Sequence, residues 1–169
     1  MALRNILKEG DPTLEKVSRK VENFDERLHI LLDDMRETLD DAAGVGLAAP
    51  QVGVLRRVAL VLDLDKETEE EEAPVVELIN PVILETEGEI TAYEGCLSIP
   101  GVLGKVSRPF QVKVQAQDRT GGFFEMEGEG TTARALCHEI DHLDGKLYTR
   151  LCDQVYDIDN LPEESEERE

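Results

Sequence analysis

Apolar residues recur at helical spacing over residues 25–43, where Leu28, Leu31, Leu32, Met35 and Leu39 share one face and Gly44 offers a stop. The pattern then changes. Residues 57–63 (RVALVLD) form a nearly continuous apolar run, which predicts a buried strand. VVELIN and PVILE read as two strands with a break at Pro81. Residues 110–118 (FQVKVQAQD) alternate with period two, and Thr120, Gly121 and Gly122 predict a hairpin turn into FFEMEGE. A second helix is predicted over residues 132–143, with Thr131 as N-cap and Gly145 as its stop. Helices flanking a block of strands predict the α+β class. No repeat and no Ser-, Gly- or Pro-rich linker divides the chain, so residues 1–169 are read as one domain.

The second helix carries the chemistry. Each residue turns a helix by about 100°, so Leu136, Ile140 and Leu143 form one stripe while His138 and His142 lie nearly opposite. Ala135 shares the histidine side. Glu139 and Asp141 flank it. His138-Glu139-x-x-His142 is an H-E-x-x-H element, which can offer two imidazoles to one metal ion with a carboxylate beside them. Two ligands do not complete a site: three protein ligands plus water make a catalytic centre, and four make a structural one.

Composition narrows the setting. The formal net charge of −20 disfavours non-specific binding to nucleic acid or anionic membrane. Much of it sits in two runs, residues 65–72 with six acids and the end of the 162–169 tail with five. These read as a solvated loop and a disordered tail. No segment of about eighteen apolar residues occurs, and the opening MALRNILKEGDP is not a secretory signal. The three cysteines, Cys96, Cys137 and Cys152, make no even disulfide framework. A reducing cytoplasm is expected, with metal binding or catalysis ahead of disulfides.

Two further stretches stand out. GVGLAAPQ, from Gly44 to Gln51, strings small residues together and ends in an amide. EGCLS puts Cys96 beside a glycine in a strand-like region. Together with HEIDHLDG, in this order and at these separations, they resemble the peptide deformylases. The opening ILKEGDPTLEKVS also looks like that family's N-terminus, so the resemblance covers residues 4–151.

The resemblance implies mixed or antiparallel sheets around a central buried helix bearing HEIDH, with the earlier helix packed outside. It implies Cys96, His138 and His142 as ligands of one divalent transition metal, with water in the fourth position. A thiolate and two imidazoles suit ferrous iron, zinc, nickel or cobalt, and not magnesium or calcium. Ferrous iron is implied as the native ion. The implied reaction removes the N-formyl group from the initiator methionine of nascent chains. Glu139 is the implied general base. The Gln51 amide and the Leu97 backbone N–H are the implied oxyanion donors.

Glu94 and Asp141 are expected to orient the imidazoles, with Arg108 pairing with Asp141. Val45 and Ala135 are expected to wall a methionine pocket, and the backbone of Gly44, Val45 and Gly46 to bind the peptide as a strand. The Arg134 stem is expected to line that pocket while its head reaches water. A monomer is expected, with transient ribosome contact as a candidate partnership and no membrane or specific nucleic acid.

The chain departs from the family pattern at three places. Cys137 stands where many bacterial members carry Gln and is read as core packing. The 65–72 loop is longer than in a compact member. The chain after Leu151 is too short and acidic for a long packed final helix. Two rivals remain. A metallopeptidase shares H-E-x-x-H, and a structural-metal domain would use Cys137 or Cys152 as its fourth ligand.

Overall fold

The computed structural model describes residues 2–162. Residues 163–169, most of the acidic tail, lie outside the described residues. Eight strands and two α-helices follow in chain order: α1 (Glu26–Ala42), β1 (Gly46–Ala48), β2 (Val58–Leu62), β3 (Val75–Glu87), β4 (Ile90–Cys96), β5 (Ile99–Arg108), β6 (Gln111–Gln117), β7 (Phe123–Glu129), α2 (Thr131–Leu143) and β8 (Val155–Asp157). One sheet has the order β1-β2-β3-β6-β7 and the other β4-β5-β8. Every pairing between these named strands is antiparallel. The expected α+β class holds.

α1 is amphipathic and packs one face inward. Leu28, Leu31, Leu32, Met35 and Leu39 are buried with Leu47, Val58 and Leu60 in one apolar cluster. Asp25 caps the helix, its Oδ1 accepting from the Leu28 N–H at 3.1 Å. The stop differs from expectation. Ala43, not Gly44, takes the left-handed conformation at φ 54°. Gly44 is instead needed for proximity, because a Cβ there would lie 2.9 Å from Leu97 Cδ1.

α2 is buried almost all round, with only Asp141 and the exposed Thr131 outside the core. Its Leu136 and Ile140 side meets Val61, Leu78, Val112 and Val114 of β2, β3 and β6. Cys137 belongs to that cluster, as expected for packing. The helix start also departs from expectation. Gly130 at φ 57° holds the N-cap position without a side-chain bond, and Thr131 is the first helical residue. Asp65 does the polar work there. Its carboxylate accepts from the Glu129 N–H at 3.0 Å and the Thr132 hydroxyl at 3.2 Å. A carboxylate at the positive end of a helix is favourable, so Asp65 has a structural partner while residues 67–72 stay exposed.

The break expected at Pro81 is a bulge within one strand. β3 runs through it, with the register to β6 shifting between Ile79 and Val82. Proline has no N–H for a ladder, so the chain places it where pairing lapses. Asn80, at φ 53°, bonds Val21 from both ends of its amide, at 2.9 Å each, and ties the N-terminal arm to the sheet. The hairpin at Thr120–Gly122 forms as expected, with Asp118 Oδ1 accepting from the Thr120 and Gly122 N–H groups.

Gly145 ends the HEIDHLDG stretch at φ 74°, and a Cβ there would fall 2.6 Å from the Glu15 carbonyl oxygen. Gly145→Ala should therefore destabilise the protein by at least about 1–2 kcal/mol, the cost of left-handed backbone alone. Urea unfolding checks this; an unchanged midpoint would mean the close approach relaxes freely.

Candidate active site

The two sheets and α2 bring the three singled-out stretches together. EGCLS is the end of β4 and the tight turn into β5. GVGLAAPQ leaves α1, forms edge strand β1, and ends in a single-turn helix over Ala49–Val52. α2 runs beneath both. A cleft of about 360 Å³ opens where they meet, lined by Gly44, Val45, Gly46, Gln51, Cys96, Leu97, Ala135, His138 and Glu139.

At its base, Cys96 Sγ lies 3.3 Å from His142 Nε2, and the two Nε2 atoms of His142 and His138 lie 3.2 Å apart. Ligands about 2.0–2.3 Å from one tetrahedral ion stand about 3.3–3.8 Å from each other, so these two separations suit a shared cation, and all three donor atoms lie within 4.8 Å of one another. Cys96, His138 and His142 are the one such group among the described residues. A fourth protein ligand is not offered by Cys137, which faces the apolar core.

Electrostatics agree with the donor set. Burial and the neighbouring His138 push His142 down to about 3, so its ring is neutral and has a lone pair to give. Burial opposes charge on His138, but hydrogen bonds to Cys96 and Glu94 prevail and raise it well above the usual histidine range. A shared cation would take the place of that proton, since a ligating imidazole nitrogen is unprotonated.

Glu94 anchors the arrangement. Its Oε2 accepts from His138 Nδ1 at 2.5 Å, fixing which ring nitrogen faces the cleft. Arg108 grips the same carboxylate with Nε at 3.1 Å and Nη2 at 2.7 Å. Burial would raise the Glu94 carboxyl, but the His138 and Arg108 hydrogen bonds outweigh it and hold it at about 2. Asp141 pairs with Arg108 at 2.7 Å, as expected. Among the described residues no hydrogen bond joins its carboxylate to an imidazole; its hold on the site runs through Arg108.

Arg134 contradicts expectation. Its head is buried rather than solvated, with Nη1 on Glu94 Oε1 and on the Val106 carbonyl, both at 2.9 Å, and Nη2 on the Ile90 carbonyl at 3.0 Å. The Glu94 charge demands partners once it leaves water, and the guanidinium supplies them while still lining the cleft.

Glu139 lies beneath β1, buried but for 4% of its surface. A Cβ on Gly46 would meet its Oε2 at 2.6 Å, so glycine allows the strand to press on the carboxylate. Burial pushes its carboxyl up to about 7, against the pull of His138 and Arg108. Its Oε1 has no hydrogen-bond partner. A carboxyl with a pKa near 7 and a free oxygen is suited to proton transfer at neutral pH.

Gln51 is aimed by its own loop. Its Oε1 accepts from the Ala48 N–H at 2.9 Å, which turns Nε2 toward Ser98 Oγ at 3.1 Å and Cys96 Sγ at 3.6 Å. Ser98 closes EGCLS, yet sequence reasoning assigned it no role. Ile158, just after β8, also lines the cleft. No local signal marks it, because it arrives through the pairing of β8 with β5. No helix among the described residues is long and apolar enough to cross a membrane.

Comparison with known proteins follows the geometry. A family described as polypeptide deformylase matches residues 3–156. A peptide deformylase of Lachnoclostridium phytofermentans is 52% identical over 168 residues, covering 99% of this chain and 100% of the relative. The crystal structure of a peptide deformylase from Legionella pneumophila superposes with a TM-score of 0.82 at 43% identity, over 89% of this chain and 86% of that one. The Thermotoga maritima peptide deformylase gives 0.82 at 38% identity, over 90% and 99%. With this agreement over nearly its whole length, the chain belongs to the peptide deformylase family.

Proposed function

We propose that this chain hydrolyses the formyl amide of N-formyl-methionyl peptides, releasing formate and a free amino terminus. The observation that carries the reading is the convergence of Cys96, His138 and His142 with an unpartnered Glu139 oxygen at the floor of one cleft. Cys96, His138 and His142 would hold a divalent transition metal, ferrous iron natively, with zinc, nickel or cobalt as substitutes. When bound, such an ion polarises a carbonyl and acidifies water.

The chain's own groups do the rest. Glu139 takes the proton of the attacking water and delivers it to the leaving amine. The Gln51 Nε2–H and the Leu97 backbone N–H donate to the oxygen on which negative charge develops. Glu94, clamped by Arg108 and Arg134, keeps the His138 ring in one tautomer. β1 is an edge strand, so its outer side offers backbone groups to an extended peptide, although the Gly44 N–H and the Val45 carbonyl are already bonded to Leu39 and Leu62. Val45 and Ala135 wall the methionine side-chain pocket. The enzyme acts in the cytoplasm, as one domain and a monomer, with transient ribosome contact.

Cys96→Ser should lower bound metal well below one equivalent after anaerobic loading, because a hydroxyl is a far poorer ligand than a thiolate for these ions. Metal analysis reads this directly, and unchanged content would remove Cys96 from the site. The reaction is tested on matched formylated and free-amine methionyl peptides. Turnover of the formylated peptide with every backbone bond intact supports the reading. Cleavage of internal bonds would assign the chain to the metallopeptidases.

A further inference from the structure

Three arginines stand apart. Among the described residues, every arginine except Arg19, Arg27 and Arg56 pairs with a carboxylate. Partners are not scarce, since the chain holds 38 acids against 18 Lys and Arg. All three unpaired arginines line one open groove of about 820 Å³ at the N-terminal end of α1, beside Lys20 and Arg4. Arg4 is committed to Asp34. The groove's two acids are Glu22 and Asp25, and the Asp25 carboxylate is taken by the cap of α1. The groove is thus a cationic island on an acidic protein.

The main chain enforces part of it. Arg19 and Arg56 face each other across a parallel bridge. The Arg19 N–H donates to the Leu55 carbonyl at 3.0 Å, and the Arg57 N–H donates to the Arg19 carbonyl at 2.9 Å. Like charges directly opposite one another repel. An anion placed between them removes that cost.

We propose that this groove docks the phosphodiester backbone of RNA. Guanidinium forks match phosphate oxygens, and the groove presents three uncommitted arginines to one lysine. Its other lining residues, Asn23, Ile30, Leu31 and Val54, include no aromatic ring on which a base could stack. Contact therefore goes to the backbone and is indifferent to sequence. The choice of RNA among polyanions rests on the nascent-chain reading above, since such chains emerge from an RNA-rich particle. α1 spans about 25 Å from the groove to the Gly44 end of the cleft, so RNA held here leaves the cleft mouth free.

The test uses the full chain and a labelled 20-nucleotide RNA hairpin of arbitrary sequence, followed by fluorescence anisotropy at low salt. Arg19→Gln with Arg56→Gln is compared with Lys113→Gln plus Lys146→Gln, which changes net charge equally. The groove variant should bind about tenfold or more weakly, and its slope of log Kd against log salt should fall by about two. The control pair should stay within about twofold of the parent. Equal weakening of both variants, absence of binding by the parent, or displacement of RNA by polyglutamate at equal charge would each overturn the proposal. Unfolding midpoints check that both variants are folded. Formate release from a short formyl-methionyl peptide is read on the same samples, so failure of the hydrolase reading registers there and failure of the docking reading in the anisotropy.

Discussion

Glu139→Gln should lower kcat/KM by about 10²–10⁴, the usual worth of a positioned general base, while metal content stays at the parent's level. The amide has the carboxylate's shape, so it fits beneath Gly46, where a Cβ would already meet Glu139 Oε2. It cannot take a proton at neutral pH. The substitution also removes no proposed ligand, because the candidate group is Cys96, His138 and His142. Activity and metal content should therefore separate. A structural-metal domain predicts no such separation, since there Glu139 would be dispensable. Near-normal turnover by Glu139→Gln would sink the catalytic assignment.

Glu94→Ala should be the most damaging change outside the reacting groups. It strips one buried carboxylate of its Arg108, Arg134 and His138 contacts together. Arg108 keeps only Asp141, and Arg134 keeps only backbone carbonyls. Breaking a buried ion pair from one side costs about 3–5 kcal/mol. Losing the bond that orients a ligating histidine lowers metal affinity about 10–100-fold. Urea unfolding and metal titration measure the two effects independently.

The same carboxylate sets an acid limit. Its folded pKa of about 2 lies below its unfolded value near 4.5. Its contribution to stability is therefore complete above about pH 4.5 and lost as pH falls through about 2. A Glu94→Ala protein that unfolds at the parent's urea midpoint would show that the arginines find other partners.

Local periodicity carried much of this fold. α1, β6 and α2 follow from spacing, because one buried face leaves a 3.6- or 2-residue signature, while β2 follows from its continuous apolar run and the 120–122 hairpin from its turn residues. The pairing of His138 with His142 was legible for the same reason, as i and i+4 share a face. Cys96 was not legible that way. It reaches the histidines through a hairpin more than forty residues earlier in the chain, and only the combined motifs pointed to it.

Other features depend on long-range placement and left no local trace. Asp65 looked like one acid in a solvated run, yet it meets the start of α2. Arg134 looked like a snorkelling side chain, but the buried Glu94 charge draws its head inward. Pro81 looked like a strand end because proline cannot donate, whereas a bulge absorbs the missing bond and β3 continues. Ile158 enters the cleft only because β8 adds to the edge of β5.

The central claim is that one metal ion held by Cys96, His138 and His142 makes this cleft a deformylating site. Stripped protein titrated anaerobically with ferrous iron, with formate release followed on a formyl-methionyl peptide, tests it most directly. The account predicts formate release that rises with added metal and saturates at one ion per chain, with one free amine appearing per formate. Formate release that does not track the metal, or metal binding without any formate, would contradict it.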